Sequence, residues 1–513
     1  MSSLANSVSK VGGNTMLSRV LGFVRDLVFA QVFGANAATD AFFVAFKIPN
    51  FLRRLFAEGA FAMAFVPVLT EYKTTRSFED LKSFVDHVAG TLGLVLLLVS
   101  TLGVLGAPLL VMVFAPGFID EPEKLGLATE MLRLTFPYLL FISLTAFAGG
   151  VLNTHGRFGI PAFTPVLLNL VLIAAALWLA PQMQQPVVAL AWGVLIAGIT
   201  QFVFQLPFLN QLKLLPKFVP APKDEGVRRV GRLMLPALFG VSVTQINLLL
   251  DTLIASFLVS GSISWLYYSD RLMEFPQGIL GVAIGTVILP GLAKKHAEQS
   301  PQQFSHMLDW GLRWIFLFGM PAAVGLILLA GPMIATLFES AVFDAEDVVM
   351  AQYSLWAYSL GVLPFMLIKV LAPGFYARQD TRTPVRIAVI AMVSNMVLNI
   401  ILVFPLKHAG LALATSLSAS LNAYLLFRTL RREAVYAPEP GWLWLMSRIL
   451  LASLAMALLL YWFSPALADW LAVTRWTRIG WLAMLIVLGA VVYFALLLLG
   501  GVRLSHFRSA SGH

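Results

Sequence analysis

Arginines lie within segments of the chain that are otherwise as apolar as a membrane-spanning helix. Arg19 and Arg25 fall in the first such segment, Arg53 and Arg54 in the second, and Arg271 in a later one. A cationic side chain at the centre of a bilayer costs roughly 2.5–3.5 kcal/mol, so a chain keeps several of them mainly where they face a wet cavity. Because the planar guanidinium group suits phosphate and carboxylate oxygens, we predict that these arginines bind an anion.

The second segment arranges its charged side chains along one face of a helix. Asp40, Lys47 and Arg54 recur every seven residues, and Asn50 falls between the last two. This spacing brings the four side chains to the same helix face, with Arg53 beside them. We therefore count all five as candidate substrate-binding residues.

A later segment repeats this pattern, with Ser264, Arg271 and Glu274 on one helix face. An alternative interpretation is that these charges are ion-paired anchors at the membrane ends, whose charged heads reach the interface. The cations of these segments outnumber the acids near them. That surplus favours an anion-binding cavity over a set of anchors.

A second polar group lies further along the chain. Asp251 is the lone acid in an apolar run, Asn395 and Asn399 are four residues apart, and Thr415 follows in the next segment. Carboxylate, amide and hydroxyl oxygens suit a hard monovalent cation or a proton relay. Hydrogen bonding between helices would use the same residue types. The sequence leaves both interpretations open, so coupling to Na⁺ or H⁺ is one alternative, and no other cofactor is expected.

The composition is that of a membrane protein. Apolar residues make up 59% and charged residues 12% of the 513 residues, which is about half the charged fraction of a soluble protein. The net charge of +9 fits basic cytoplasmic loops, so we expect no nucleic-acid partner. Cysteine is absent, and we find no phosphate-binding loop, zinc-protease motif or serine-hydrolase elbow. We therefore expect a transporter and not an enzyme.

Apolar stretches of about 20 residues between turn signals predict about 14 membrane-spanning helices. Lysine and arginine are concentrated in the loops that follow even-numbered spans, as at Lys73, Arg157 and Lys213. The positive-inside rule then places both termini in the cytoplasm. The predicted spans cover residues 12–34, 39–70, 84–114, 126–152, 159–180, 187–209, 229–258, 264–292, 311–338, 348–375, 384–404, 409–429, 442–464 and 478–501.

The two halves of the chain show a weak internal repeat. At an offset of 223 residues, Pro67 aligns with Pro290 and Pro161 with Pro384. A repeat of six spans restores the same membrane orientation, which predicts two parallel six-helix lobes with a substrate site between them. The last two spans have no counterpart in the repeat. The predicted parts are an N-lobe at 1–210, a cytoplasmic linker at 211–228, a C-lobe at 229–432, and two C-terminal helices with a cytoplasmic tail at 433–513.

Long motifs of this chain are similar to those of a known family. The runs at 18–26, 39–61, 265–276 and 371–381, which include SRVLGFVRD and DRLMEFP, resemble the MurJ (MviN) lipid II flippases. The resemblance runs nearly end to end. It implies the fold of the multidrug/oligosaccharidyl-lipid/polysaccharide exporter superfamily, with two six-helix lobes and two C-terminal helices that shape a groove for a lipid tail.

The resemblance also implies roles for individual residues. By motif match, the functional arginines of the family correspond to Arg19, Arg25, Arg53 and Arg271. In the family these arginines are thought to hold the pyrophosphate of the substrate in a central cavity. The positions that match further cavity-lining residues of the family are Asp40, Asn50, Ser264 and Glu274.

The resemblance bears on the cation question as well. Some relatives bind sodium in the second lobe through an Asp in span 7 and Asn or Asp residues in span 11, an arrangement that Asp251, Asn395 and Asn399 resemble. Both span-11 positions are Asn in this chain, so the site would carry less negative charge.

Together these features predict a flippase of the bacterial cytoplasmic (inner) membrane. It would carry lipid II, the undecaprenyl-pyrophosphate-linked peptidoglycan precursor, from the cytoplasmic to the periplasmic leaflet by alternating access. A sibling exporter of another undecaprenyl-linked oligosaccharide is the alternative. We expect lipid II and membrane lipid as partners, cell-wall synthesis proteins as candidate partners, and a monomer.

Overall fold

The part of the chain that the structure describes is mainly helical. The computed structural model describes residues 2–278 and 282–503, and no β-strand occurs in these two ranges. The predicted all-α class is therefore confirmed. Contacts divide the chain into two compact units, Met1–Ser264 and Trp265–His513. Side-chain positions are described over the same ranges except at 2–11, 56–59, 237, 239–248 and 282–286.

The first unit contains α-helices joined by short turns, and its described residues include π-helix at Arg54–Phe61 and at Ala175–Leu179. π-helical turns are uncommon and often lie at functional sites. The first of them begins within the arginine pair of the second segment. The α-helices are α1 (Ser2–Phe33), α2 (Ala37–Arg53), α3 (Ala62–Thr75), α4 (Phe78–Leu105), α5 (Ala107–Phe114), α6 (Pro122–Thr135), α7 (Tyr138–Thr154), α8 (Gly159–Ala174), α9 (Val188–Gln211) and α10 (Glu225–Ala255).

The second unit begins at Trp265, within the first turn of a helix, and its last two long helices pack together as a pair. Its helices are α11 (Ser262–Pro276), α12 (Val282–Ala297), α13 (Pro301–Leu328), α14 (Ala330–Leu337), α15 (Ala345–Ser359), α16 (Val362–Leu371), α17 (Pro373–Tyr376), α18 (Arg382–Arg432), α19 (Trp442–Phe463), α20 (Leu467–Ala472) and α21 (Arg475–Leu499).

The C-terminal helix pair is anchored to α13 and α14 at several levels. Asp309 of α13 accepts a hydrogen bond at 2.7 Å from Tyr436, which lies on the segment leading into α19. The hydroxyl of Tyr493 on α21 donates to a backbone carbonyl of α13 at 2.6 Å. On α20, which lies between α19 and α21 in the chain, the indole of Trp470 donates to the hydroxyl of Thr336 of α14 at 2.9 Å. Since all of these groups are buried, the pair is an integral part of the second unit.

Nine of the described helical stretches are long and apolar enough to cross a membrane. The predicted spans at 12–34, 39–70, 229–258 and 264–292 are not among the nine, although their described parts are also largely helical. Each of these four segments contains predicted site residues. The predicted count of about 14 spans stays a prediction. The nine stretches are Phe78–Leu105, Pro122–Thr154, Gly159–Gln182, Val188–Gln211, Pro301–Leu328, Ala345–Tyr376, Arg382–Arg432, Trp442–Phe463 and Arg475–Leu499.

Helix α18 is bent near its middle. Lys407 has φ 50° and ψ −129°, which is not helical. Pro405 lies two residues earlier and lacks a helical donor. A Cβ on Gly410 would lie 2.3 Å from the carbonyl oxygen of Leu402, so only glycine lets the two segments approach this closely. The bend divides α18 into two helical segments, in agreement with the two spans predicted there.

A proline explains one of the contacts between α2 and α6. Pro49 of α2 has no N–H, so the carbonyl of Ala45, four residues earlier, lacks its helical donor. The hydroxyl of Thr135, at the end of α6, donates to this carbonyl at 2.9 Å. Thr135 is fully buried. The break in the hydrogen bonding of α2 thus becomes a buried link between the two helices.

The connection between α9 and α10, predicted as the cytoplasmic linker, lies along α4. The amide of Lys217 donates to Oδ1 of Asp86 at 2.7 Å. A Cβ on Gly90 of α4 would lie 2.3 Å from the backbone of Val219, so the absence of a side chain at this position lets the linker pack against the helix. The linker is therefore held against the surface of α4 by these contacts.

Helix α10 packs on α3 and on the π-helix Arg54–Phe61. This packing places residues 229–264, which the sequence assigns to the C-lobe, in the first compact unit. The predicted lobes rest on a sequence repeat, whereas the compact units rest on contacts, so the lobe boundaries stay a prediction.

Candidate functional site

Arg25 of α1 is oriented by an acid and an amide. Its Nε and Nη2 donate to Oδ1 of Asp26 at 3.0 and 2.7 Å, and its Nη1 donates to Oδ1 of Asn169 on α8 at 3.0 Å. The amide of Asn169 in turn donates to the carbonyl of Ser18 at 2.9 Å. Asp26 is 2% exposed and the side chain of Arg25 is 13% exposed. These contacts fix the direction of a guanidinium group that is still partly accessible.

Arg19 lies less than two turns earlier on the same helix and is exposed. It has no hydrogen bond or ion pair with other residues in the described part of the chain. Its charge and its donors are therefore available to a ligand.

The arginine pair at the end of α2 lies where the α-helix changes to a π-helix. Nε of Arg53 donates to Oδ1 of Asn50 at 2.9 Å, and Arg54 is the first residue of the π-helix. Both arginines, Asn50 and Lys47 are partly exposed. Because a π turn is wider than an α turn, the predicted one-face stripe that starts at Asp40 follows α-helical spacing only as far as this pair.

Asp40 and Ser264, both predicted site residues, are in direct contact. Oδ1 of Asp40 accepts from the hydroxyl and the amide of Ser264 at 2.6 and 2.9 Å, and Oδ2 accepts from the amide of Gly261 at 2.7 Å. Asp40 is 1% exposed and Ser264 is fully buried. The carboxylate of Asp40, in the first turn of α2, therefore binds the turn at 261–264.

Arg271 and Glu274 pair with each other in the second unit. Nη1 of Arg271 donates to Oε2 of Glu274 at 2.6 Å, and Nη2 lies 3.9 Å from Oδ2 of Asp270. The guanidinium carbon lies 5.0 Å from the centre of the Tyr267 ring, within the range of a cation–π contact. The side chain of Arg271 is 30% exposed, so the paired cation still reaches solvent.

The residues considered for a cation site fall in both units. Asp251 lies on α10 and is half-buried. In the second unit, Asn399 donates to Oδ1 of Asn395 at 3.0 Å, and Asn395 donates to the hydroxyls of Thr415 and Ser418 at 3.4 and 3.5 Å. Both asparagines are fully buried. These contacts fit hydrogen bonding between helices. The described residues contain no group of three His, Cys, Asp or Glu that could hold a metal ion.

Two residues that the sequence did not single out belong to this arrangement. Asn169 orients Arg25. The sequence feature that could have identified it is a single amide side chain within the predicted apolar span 159–180. Lys124 is 4% exposed, and its Nζ lies 3.8 Å from Oδ2 of Asp40. The sequence placed Lys124 in a loop, but it lies in the first turn of α6. Pro122, a favoured residue at the first helical position, was the available signal for that helix start.

Long apolar helices that carry charged side chains on defined faces are the architecture of a polytopic membrane transporter. Residues 29–495 match the family model described as lipid II flippase MurJ. The chain belongs to the MurJ lipid II flippase family.

Individual proteins show the same likeness. A relative from Haemophilus influenzae, named probable lipid II flippase MurJ, is 51% identical over 505 residues, which cover 96% of this chain and 99% of the relative. A solved structure of a lipid II flippase MurJ in an inward closed conformation superimposes with a TM-score of 0.80 at 28% identity, and covers 95% of this chain and 97% of that chain. An inward-facing multidrug resistance MATE family transporter of the MOP superfamily gives a TM-score of 0.68 at 14% identity, over 81% of this chain and 95% of that chain. The last likeness shows the shared fold alone.

Replacing Asn169 by alanine should release Arg25 from α8. We expect N169A to lower the midpoint of thermal unfolding in detergent, because the loss of an acceptor for a partly buried cation costs roughly 1–3 kcal/mol.

Asn14 provides a matched control for this measurement. It joins the same two helices through one hydrogen bond, to the carbonyl of Gly159 at 3.0 Å, and has no charged partner there. N14A should therefore lower the midpoint less than N169A. An unchanged midpoint for N169A would contradict the role that we assign to Asn169.

Proposed function

We propose that this chain moves lipid II from the cytoplasmic to the periplasmic leaflet of the bacterial inner membrane by alternating access. The observation that carries the proposal is the set of arginines in membrane helices whose guanidinium groups are oriented by neighbours and still accessible. The relatives' names, which specify lipid II, support the same substrate.

The arginines differ in how they would treat a pyrophosphate. Arg25 and Arg271 each pair with a carboxylate, so neither leaves an unbalanced cation in apolar surroundings when the substrate is absent. Arg19 has no such partner among the described residues, so its charge would attract the headgroup first. A pyrophosphate carries anionic oxygens on two phosphorus atoms and can accept from several guanidinium groups at once. Arg53, held by Asn50 at 2.9 Å, would supply a further donor.

Asp40, near the start of α2, accepts hydrogen bonds from Gly261 and Ser264. We call these contacts the closure, and we propose that they open during transport. The predicted N-lobe contributes Asp40, and the predicted C-lobe contributes Gly261 and Ser264. If the lobes rock about the bound headgroup, the hydrogen bonds between these residues have to break in one half of the cycle and form again in the other.

The remaining features of the proposal concern the membrane. The concentration of basic residues in alternate loops supports cytoplasmic termini. The helices α19 and α21 are anchored to α13. We propose that their apolar surface binds the lipid tail. We propose a monomer whose partners are lipid II, membrane lipid and, as candidates, proteins of cell-wall synthesis.

We propose that the membrane potential resets the empty carrier. The residues that we assign to the cavity include more arginine and lysine than acid, and one charge that crosses the membrane contributes about 2.3 kcal/mol per 100 mV. Exchange of a Na⁺ or H⁺ at Asp251, Asn395, Asn399 and Thr415 is an alternative source of the driving force.

The first test is complementation in cells depleted of their own lipid II flippase. R19A, R25A, R53A and R271A should each fail to support growth at normal expression, with lipid II retained on the cytoplasmic face. Truncation of a buried ionic contact commonly costs about 2 kcal/mol or more, or about 30-fold in binding. Lysine variants should restore growth poorly, because an ammonium group lacks the guanidinium fork.

R157A is the matched control for the arginine variants. Arg157 is exposed and donates to Gln211 at 3.1 Å outside the proposed cavity, so R157A should support growth. Growth of all four alanine variants would make the arginines structural anchors and would contradict the proposal. Failure of the unmutated chain to support growth would point to a sibling exporter of another undecaprenyl-linked oligosaccharide.

The role of the potential can be tested in vesicles that contain the purified protein and lipid II. Collapsing an imposed potential with an ionophore should slow the appearance of lipid II in the opposite leaflet. Replacing Na⁺ by choline at constant potential should leave the rate unchanged if the potential alone resets the carrier. A rate that depends on Na⁺ and not on the potential would favour the cation site instead.

A further inference from the structure

Lys124 is a buried cation at an unfavourable place. It lies in the first turn of α6 and is 4% exposed. The N-terminus of a helix carries partial positive charge, so a cation there gains nothing from the helix itself. A buried lysine is costly unless it is paired. The position of Lys124 must therefore be stabilised by the side chains around it.

Those side chains come from both sides of the closure at the start of α2. The ammonium group of Lys124 donates to the hydroxyl of Ser260 at 2.9 Å and lies 3.8 Å from Oδ2 of Asp40. It also lies 3.4 Å from Oε1 of Glu121 and 4.4 Å from the centre of the Phe118 ring. Lys124 thus contacts the carboxylate of Asp40, which binds the 261–264 turn. It also contacts Ser260, which is the residue just before that turn.

The charge of Asp40 explains why a cation is needed here. In its contacts with Gly261 and Ser264, the carboxylate accepts from two amides and one hydroxyl, as an ionised carboxylate does. These donors are neutral, and Asp40 is 1% exposed. Lys124 supplies positive charge beside the buried acid, and Glu121, which is 44% exposed, lies at the outer side of the lysine.

Lys124 and Asp40 are carried by helices that pack together. Helix α6 packs along α2, and the buried hydroxyl of Thr135 links the far end of α6 to Ala45 of α2 at 2.9 Å. Lys124 would therefore stay beside Asp40 when the contacts to Ser260, Gly261 and Ser264 break. The 261–264 turn would move away from Asp40, and the ion pair between Lys124 and Asp40 would remain.

We propose that Lys124 is a positioning residue for transport: it balances the charge of Asp40 in the open state and joins Asp40 to the 260–264 segment in the closed state. This inference rests on the proposed function, since it is the transport cycle that requires the closure to open and reform. Without Lys124, the buried carboxylate would be unpaired in both states, and the closure would be held less firmly.

The test uses a single cysteine as a reporter of the closure. The chain has no cysteine, and Ser262 is fully buried with no hydrogen-bond partner for its hydroxyl, so S262C should be tolerated. The rate at which a polar maleimide labels the introduced thiol in the purified S262C protein then measures how often this end opens. The assay needs no substrate.

On the S262C background, K124M should raise the labelling rate about fivefold or more, because removal of one partner leaves a buried charge unpaired. The same variant should lower lipid II transport. D40N should also raise labelling, and D40N/K124M should label more slowly than K124M, since the double variant leaves no buried charge unpaired and Glu121 is 44% exposed. This recovery would distinguish a charge pair from a general structural role.

K295M is the matched control, because Lys295 pairs with Glu298 at 3.0 Å on an exposed surface where such a pair contributes little. It should leave labelling unchanged. If K124M labels at the rate of the S262C parent, or if D40N/K124M labels as fast as K124M or faster, the inference is wrong. If K124M fails to accumulate, accumulation of D40N/K124M supports the charge pair and its absence contradicts it.

Failure of the inference and failure of the proposed function give different results. A parent chain that does not support growth in flippase-depleted cells would overturn the proposed function, while the labelling rates would still report on Lys124. A parent that supports growth, together with unchanged labelling in K124M, would overturn only the role of Lys124.

Discussion

The cost of placing charge in a membrane is the constraint on which this structure depends. An unpaired cation or anion in apolar surroundings is expensive, and two of the charges described here, those of Arg25 and Asp40, are paired in ways that suit different tasks. Arg25 is paired with Asp26 and held by the neutral amide of Asn169, so its guanidinium group is oriented while its side chain stays 13% exposed. Asp40 is surrounded by hydrogen-bond donors and by Lys124, so its carboxylate is paired and not accessible to solvent. The first arrangement suits a ligand site, and the second suits a closure.

Helix α2, which carries Asp40 and Arg53, has an irregular backbone. Pro49 leaves the carbonyl of Ala45 without a helical donor, and Thr135 binds it from α6. The π-helix that begins at Arg54 follows almost at once. Irregular backbone of this kind is tolerated in a membrane where it is buried in protein or lines a cavity. Its position beside the arginine pair therefore agrees with the cavity that we propose.

The sequence predicted the all-α class and proposed the arginines of the site because both depend on local information. Apolar length reports a membrane helix, and a charge within it stands out. The partners of those charges depend on packing between distant segments. Asn169 lies 144 residues from Arg25, and Ser264 lies 224 residues from Asp40, so no local period could join them. The loop assignment of Lys124 was wrong because the spans were drawn from hydrophobicity, whereas α6 begins at Pro122 with polar residues.

Recognition of a pyrophosphate by the oriented arginines can be tested by direct binding. The measurement compares the affinity of the purified protein for undecaprenyl pyrophosphate and for undecaprenyl monophosphate, which share a tail and differ by one phosphate. If the arginines recognise the pyrophosphate, we expect tighter binding of the pyrophosphate lipid, by about tenfold or 1.4 kcal/mol, and loss of this preference in R19A and R25A. Equal affinity for the two lipids, or a preference that survives in both variants, would contradict such recognition.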